Sequence, residues 1–307
     1  MTHKERAVAA LNLQVPDMVP TFELEFQLAE ELLGKPVPTP RMLEGIGGRE
    51  YDRLLHEIVE TTLQVTEILD YSIVNAHFLG GHEGVRLFRR LTGDKYLVWA
   101  HGDGTFSIPD GDHMLEMSYR IVDDPEGMHE EARRMVNDAI ERSKRWMDAG
   151  VDCFGLCADY CFNSGPFFSP RQFSEFVTPY LGELVNAQRA MGAYIIKHTD
   201  GNIMPIIEDL VQCKPHALHS LDPMAGVDIA VVKRLYGDKV CLIGNVNCAL
   251  LQTGTREEII ANAEYSLKHG KPNGGYIFST SNVAFKGMPL ENYMLIQEVW
   301  KNGRTYN

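Results

Sequence analysis

An imidazole and a carboxylate two residues apart, at the end of an apolar run, carry the strongest chemical signal in this chain. The run Ala193-Tyr-Ile-Ile-Lys-His198-Thr-Asp200-Gly-Asn202 reads as a strand that breaks into a polar cluster before the next helix. Both groups can bind a metal ion or move a proton, and the strand delivers them to one end of a sheet, where α/β enzymes keep their chemistry. The pattern recurs in Pro20-Thr-Phe-Glu23-Leu-Glu25, Tyr71-Ser-Ile-Val-Asn75-Ala-His77, Val151-Asp-Cys-Phe-Gly-Leu-Cys-Ala-Asp159, Leu218-His219-Ser-Leu-Asp222, Val240-Cys-Leu-Ile-Gly-Asn245 and Gly275-Tyr-Ile-Phe-Ser-Thr-Ser281-Asn282. If these strands close into a barrel, their polar ends ring one pocket.

Each of these residues also has an ordinary explanation. Loops after strands are polar, and Asp200 or Asn202 could cap a helix over Ile203-Met-Pro-Ile-Ile-Glu. A cap does not explain His198 at the end of Tyr-Ile-Ile. Glu23 and Glu25 share one face of the first strand, with Phe22, Leu24 and Phe26 on the other. On an inward barrel face the two acids need a cation or a substrate donor; an exposed first-strand edge is the alternative. His216 and His219 read as hydrogen-bonded core histidines. Cys153, Cys157 and Cys161 would form a metal-like stripe on a helix, but Val-Asp-Cys-Phe-Gly-Leu reads as a strand, which disperses them. All six cysteines lie in or beside apolar runs, away from disulfide-framework spacing, so packed, reduced thiols are expected.

The elements that must hold these residues follow from periodicity. Amphipathic patterns predict helices over 49–69 and 130–147, with others near 170–190, 202–212, 228–236, 256–268 and 289–302. Ser169-Pro170 and Thr255-Arg-Glu-Glu mark helix starts. Leu97-Val-Trp-Ala and Thr105-Phe-Ser-Ile, split by His101-Gly-Asp-Gly, predict an inserted β-hairpin near residues 94–109, serving as a lid or docking surface. Strand and helix then alternate with no linker through all 307 residues. A single domain, 1–307, built as a (β/α)8 TIM barrel, is the expected architecture. An open doubly wound sheet is the alternative, disfavoured by the lack of Gly-x-Gly-x-x-Gly after the first strand.

A net charge of -13 with no basic block argues against nucleic acid and anionic membranes as partners. The N-terminus lacks the apolar core of a signal peptide, and no run approaches the length of a membrane span, so a cytoplasmic protein is expected.

Several segments together resemble the uroporphyrinogen decarboxylase superfamily. They are Lys4-Glu-Arg-Ala-Val-Ala-Ala-Leu with Pro16-Asp-Met-Val-Pro20, Gly165-Pro-Phe-Phe-Ser-Pro170, Lys197-His-Thr-Asp-Gly-Asn202, Gly244-Asn-Val-Asn247, and Gly274-Gly-Tyr-Ile-Phe-Ser-Thr-Ser-Asn282 leading to Pro289-Leu-Glu-Asn292. The resemblance spans nearly the whole chain in order and implies a (β/α)8 barrel. The family holds porphyrinogen decarboxylases and zinc-dependent, corrinoid-linked methyltransferases. The decarboxylases carry arginines after the first strand; here that place reads Phe22-Glu23-Leu-Glu25-Phe-Gln27, which would repel a polycarboxylate. The thiol-methylating branch has His-x-Cys and a second cysteine near the last strand. This chain has His198-Thr-Asp200 and Ser281-Asn282.

Replacing sulfur by carboxylate hardens a metal site and suits an oxygen-bearing substrate. The resemblance therefore implies the methyltransferase component of an O-demethylase, which moves methyl from a methyl ether, such as a methoxylated aromatic, to Co(I) of a corrinoid (cobalamin) protein. In that scheme His198, Asp159 and Asp200 hold zinc. Asp159, His198, Asp200 and Glu25 are catalytic. Substrate contacts come from Glu23, His77, Asn163, Asn245, Ser281 and Asn282. A metal-free decarboxylase using Asp159 or Glu25, and a catalytically silent barrel, are the alternatives.

Overall fold

The computed structural model describes residues 1–306. Seven parallel strands form one curled sheet: β1 (Ile73–Asn75), β2 (Leu97–His101), β3 (Cys153–Leu156), β4 (Tyr194–His198), β5 (Ala217–His219), β6 (Cys241–Val246) and β7 (Tyr276–Thr280), paired in that order. The extended segment 20–26 closes the circle. It bridges β7 in parallel at Thr21–Phe278, and on its other side the Ser72 N–H donates to the Thr21 carbonyl at 2.7 Å. The Asn75 amide donates to the Leu24 carbonyl at 2.9 Å on the same side. The architecture is the expected TIM-type barrel, its first strand held by isolated bridges rather than a full ladder.

Alternation along the strands separates two apolar layers. Phe22, Leu24, Ile73, Leu97, Trp99, Cys153, Ile196, Ala217, Ile243 and Ile277 fill the barrel, and Ala7, Ala10 and Leu11 of the N-terminal helix join them from below. The outer layer packs Val74, Val98, Phe154, Ile195, Leu218, Leu242 and Phe278 against the surrounding helices. A filled interior leaves the C-terminal rim of the strands as the place where polar groups can meet. Helices Gly48–Ile68, Pro125–Ala149, Ile229–Tyr236, Arg256–Gly270 and Leu290–Gly303 fall where periodicity puts them. The predicted 170–190 helix is two, Pro170–Phe176 and Thr178–Ala190. Ser169 and Thr255 both form capping boxes. Six cysteines are free, and five of them are buried.

Two local expectations are corrected. The inserted hairpin is not at 94–109: Leu97–His101 is barrel strand β2, parallel to both neighbours, and the antiparallel pair is Cys161–Phe162 with Gly165–Pro166. Gly102 and Gly104 look like turn residues but serve close packing. A Cβ on Gly102 would lie 2.8 Å from Phe154, and one on Gly104 would lie 2.5 Å from Ala139. Helix Gly111–Asp123 follows instead of a second hairpin strand. The helix expected from 202 starts at Ile207, because Pro205 disfavours helical backbone at Met204. Asn202 therefore caps only a turn, accepting from Met204 N–H at 3.2 Å.

Candidate metal centre at the barrel mouth

The site is set by strand alternation. In β4 the inward positions are Ile196 and His198, while Ile195 and Lys197 point outward, so one strand supplies an inward imidazole and an outward cation. His198 stands beside His219 in the β4–β5 register. Both rings are buried, and their Nδ1 atoms lie 2.8 Å apart.

The tautomers follow from what each partner can do. His219 Nε2 is 3.1 Å from the Thr280 carbonyl, which only accepts, so that nitrogen carries hydrogen. Burial, followed by the neighbouring His198, holds the His219 pKa well below its usual value and keeps the ring neutral. Its Nδ1 is then an acceptor and His198 Nδ1 the donor. His198 Nε2 is left bare, facing Asp159 Oδ1 at 3.9 Å and Asp200 Oδ1 at 3.8 Å. Burial, with Lys197 and His101 adding to it, pushes His198 down to about 3, so protonation does not fill the gap.

The two carboxylates are fixed from behind. Lys197, 0 % exposed, holds the Leu156 and Ala158 carbonyls at 3.0 and 2.8 Å and pairs with Asp103 at 3.1 Å. Asp103 in turn accepts the Ala158 N–H at 2.8 Å, and the Asp159 carbonyl accepts Ile108 N–H at 2.7 Å. The loop carrying Asp159 is thus clamped on both sides. Asp159 Oδ1 accepts Asp200 N–H at 3.0 Å. Gly201, at φ +80°, lets the chain after Asp200 lie against the hairpin, where a Cβ would come 2.3 Å from the Cys161 carbonyl oxygen. Asn282 donates to Asp200 Oδ2, while Asp200 Oδ1 is buried without any partner. Burial, then the charges of Asp159 and Asp222, raises Asp200 to about 7.

An orphaned carboxyl oxygen, a second carboxylate and a bare imidazole nitrogen converge on one point. Their ligand atoms all lie within 4.8 Å of one another, the one such group among the described residues. Three lone-pair donors at that range repel one another unless a cation or proton sits between them. Ligands about 2.0–2.2 Å from a tetrahedral zinc are roughly 3.4 Å apart, so each carboxylate would have to move about 0.5 Å closer to His198 Nε2. The residues fit a hard divalent ion held by three protein ligands, with room for a fourth.

The remaining predicted residues are placed as follows. Glu25 and His77 stand on the opposite side of the rim; Glu25 accepts from Gln27 at 2.9 Å, and His77 is exposed. Glu23 does not face the interior. It alternates with inward Phe22 and Leu24, and its carboxyl accepts from Thr280 at 2.5 Å and Tyr293 at 3.1 Å in the outer layer. Asn163 is exposed at the hairpin turn. Both ends of the Asn245 amide are used internally, by the Leu221 carbonyl at 2.8 Å and the Ser266 hydroxyl at 3.1 Å. Ser281 is buried, its hydroxyl 3.7 Å from Cys248 Sγ. Only Asn282 joins Asp159, His198 and Asp200 in one cluster. Beside Asp159 opens a 570 Å³ cavity that also meets His101, Arg142 and Cys157. Sequence reasoning missed His219 and Lys197 as site residues; a lysine inside the apolar run Tyr-Ile-Ile-Lys was the available signal for the second.

Comparison with known proteins agrees with this fold. The family model of uroporphyrinogen decarboxylase (URO-D) matches residues 110–302. A uroporphyrinogen decarboxylase of Chlorobium phaeovibrioides is 28% identical over 164 residues, which is 50% of this chain and 43% of that protein. The chain thus matches less than half the length of that curated relative. A methyltransferase from Methanosarcina mazei has the same fold, with a TM-score of 0.74 at 16% identity over 98% of this chain and 99% of that one. Among the described residues no helix is long and apolar enough to cross a membrane.

Proposed function

Because this chain belongs to the uroporphyrinogen decarboxylase family, we propose that it works at the mouth of that barrel as a methyltransferase, taking methyl from a methyl ether and passing it to a corrinoid protein. The observation that carries this reading is the orphaned Asp200 Oδ1 facing the bare His198 Nε2 and Asp159. Asp159, His198 and Asp200 would hold zinc, which supplies Lewis acidity toward an ether oxygen. His219 keeps the His198 lone pair pointed inward, and Lys197 with Asp103 holds the Asp159 loop in place. A corrinoid on the partner, as Co(I), would be the methyl acceptor, with the C–O bond breaking as the methyl group leaves. The electron pair stays on oxygen, and the resulting phenoxide or alkoxide takes a proton. Glu25 and His77, across the rim, would contact the substrate. A corrinoid partner would approach over the strand ends, a reading supported by the filled barrel interior.

The test is incubation of the protein with chemically reduced cobalamin and a panel of methoxylated aromatics, with and without added zinc. Methylcobalamin absorbance together with release of the demethylated phenol supports the reading. No methyl transfer from any donor refutes it. The second reading, decarboxylation, rests on the matched relative and on carboxyls such as Asp159 and Glu25 that could stabilise a protonated intermediate. Carbon dioxide released without any corrinoid would favour it.

A further inference from the structure

A second cavity lies outside the barrel wall. It measures 710 Å³ and runs from the rim at Glu25 and His77 down between the closing segment, β1 and helix Gly48–Ile68. Its walls include Phe26, Val65, Tyr71 and Val74, all in the outer apolar layer, whereas Phe22, Leu24 and Ile196 beside the metal centre's strands pack inside the barrel. Ile73 is the one barrel-filling residue on its wall, so the cavity lies mainly in the outer layer, away from the triad. Its size and lining, mostly apolar with a few convergent polar groups, are those of small-molecule sites.

Of the polar groups on its inner wall, Thr62, Thr66 and Asn75 spend their hydrogen bonds on backbone, which leaves Glu23 and Tyr71. Tyr71 and Tyr293 share a hydrogen bond at 2.5 Å, and Tyr293 also meets Glu23 at 3.1 Å and the Gln297 amide at 3.2 Å. When Tyr293 gives its hydrogen to Glu23, Tyr71 must donate to Tyr293, and the free capacity of Tyr71 is as an acceptor. When Glu23 is protonated and donates to Tyr293, the chain reverses and Tyr71 has a hydrogen to give. A hydroxyl is the ligand group that satisfies either polarity. The burial that pushes Glu23 up to about 8 makes both states accessible. The rim disfavours an anion: it carries Glu25, Glu30 and Glu44 against exposed Arg41 and Lys286, and Lys286 already lies 4.0 Å from Glu30.

We infer that this cavity is a binding site, separate from the metal centre, for a neutral, largely apolar molecule bearing a hydroxyl, of the phenol or aryl alcohol class. The cavity shares Glu25 and His77 at its rim with the substrate contacts of the methyl-transfer reading, but its buried end at Glu23 and Tyr71 uses neither the triad nor a corrinoid. Calorimetric titration of the full chain with 2-naphthol, and with 2-naphthoate as its charged counterpart, tests it. Saturable 2-naphthol binding is expected, with 2-naphthoate at least tenfold weaker. Val65→Trp fills the cavity and should weaken naphthol binding at least tenfold. Thr61→Phe, on the less buried part of the same wall, should do the same if the first variant folds poorly. His198→Ala should leave binding within twofold of the parent protein. Absence of naphthol binding, equal binding of the naphthoate, or binding that survives both filling variants and disappears in His198→Ala would overturn the inference.

Discussion

Glu23→Gln should remove a pH dependence that the wild-type protein carries. The Glu23 side chain is 4 % exposed, and its hydrogen-bond partners are hydroxyls of Thr280, Ser279 and Tyr293, with no cation among them. Burial raises its pKa from 4.5 to about 8, against the pull of those hydroxyls. Between these values the folded state keeps a proton that the unfolded chain has released, so stability is full below pH 4.5 and falls as pH rises toward 8. Each pH unit in that window costs about 1.4 kcal/mol, or roughly 3 kcal/mol between about pH 5.5 and pH 7.5. Glutamine has nearly the same shape and cannot ionise. Any packing cost of the substitution shifts its stability by a constant and leaves the slope from this site at zero. Urea unfolding followed by tryptophan fluorescence at several pH values gives both curves. Subtracting one from the other cancels the titration of uncoupled groups. The wild-type advantage should shrink by roughly 3 kcal/mol across that interval. A difference that stays flat, or grows with pH, would refute the assignment of Glu23 as a buried, unpaired acid.

Three further outcomes follow from the site. His219→Phe keeps a ring in the same space but removes the acceptor for His198 Nδ1–H, and zinc affinity measured by competition with a chromophoric chelator should fall about 10- to 100-fold. Lys197→Met leaves the partly buried Asp103 without its cation, and denaturant unfolding should show a loss of about 3 kcal/mol. Gly104→Ala drives a Cβ to 2.5 Å from Ala139 and from the Met135 carbonyl, which thermal unfolding should register as a destabilisation of about 1–3 kcal/mol.

The barrel was legible because its strands are short apolar runs with polar ends, and that pattern survives without knowledge of which strands pair. His198 and Asp200 were legible for the same reason. Residues whose roles depend on a neighbouring strand were not. His219 looks like a core histidine in its own segment, and only the β4–β5 register turns it into the partner of His198. Glu23 and Glu25 pose the same difficulty: alternation puts both acids on one face, but only the closed barrel shows that Phe22 and Leu24 take the inside. The glycines around Asp103 carry turn-like composition, whereas their function is close approach to Phe154 and Ala139. Asn245 shares the strand-end signature of the site residues, yet its amide is consumed by Leu221 and Ser266.

Methyl transfer at the barrel mouth requires a cation among Asp159, His198 and Asp200. The most direct test is metal content per chain by mass spectrometry, after incubation with zinc and removal of excess, for the wild-type protein beside His198→Ala. Close to one zinc per wild-type chain is expected, lost in a variant that remains folded by circular dichroism. Folded wild-type protein that takes up no zinc, or zinc retained in full by the variant, would contradict methyl transfer at this site.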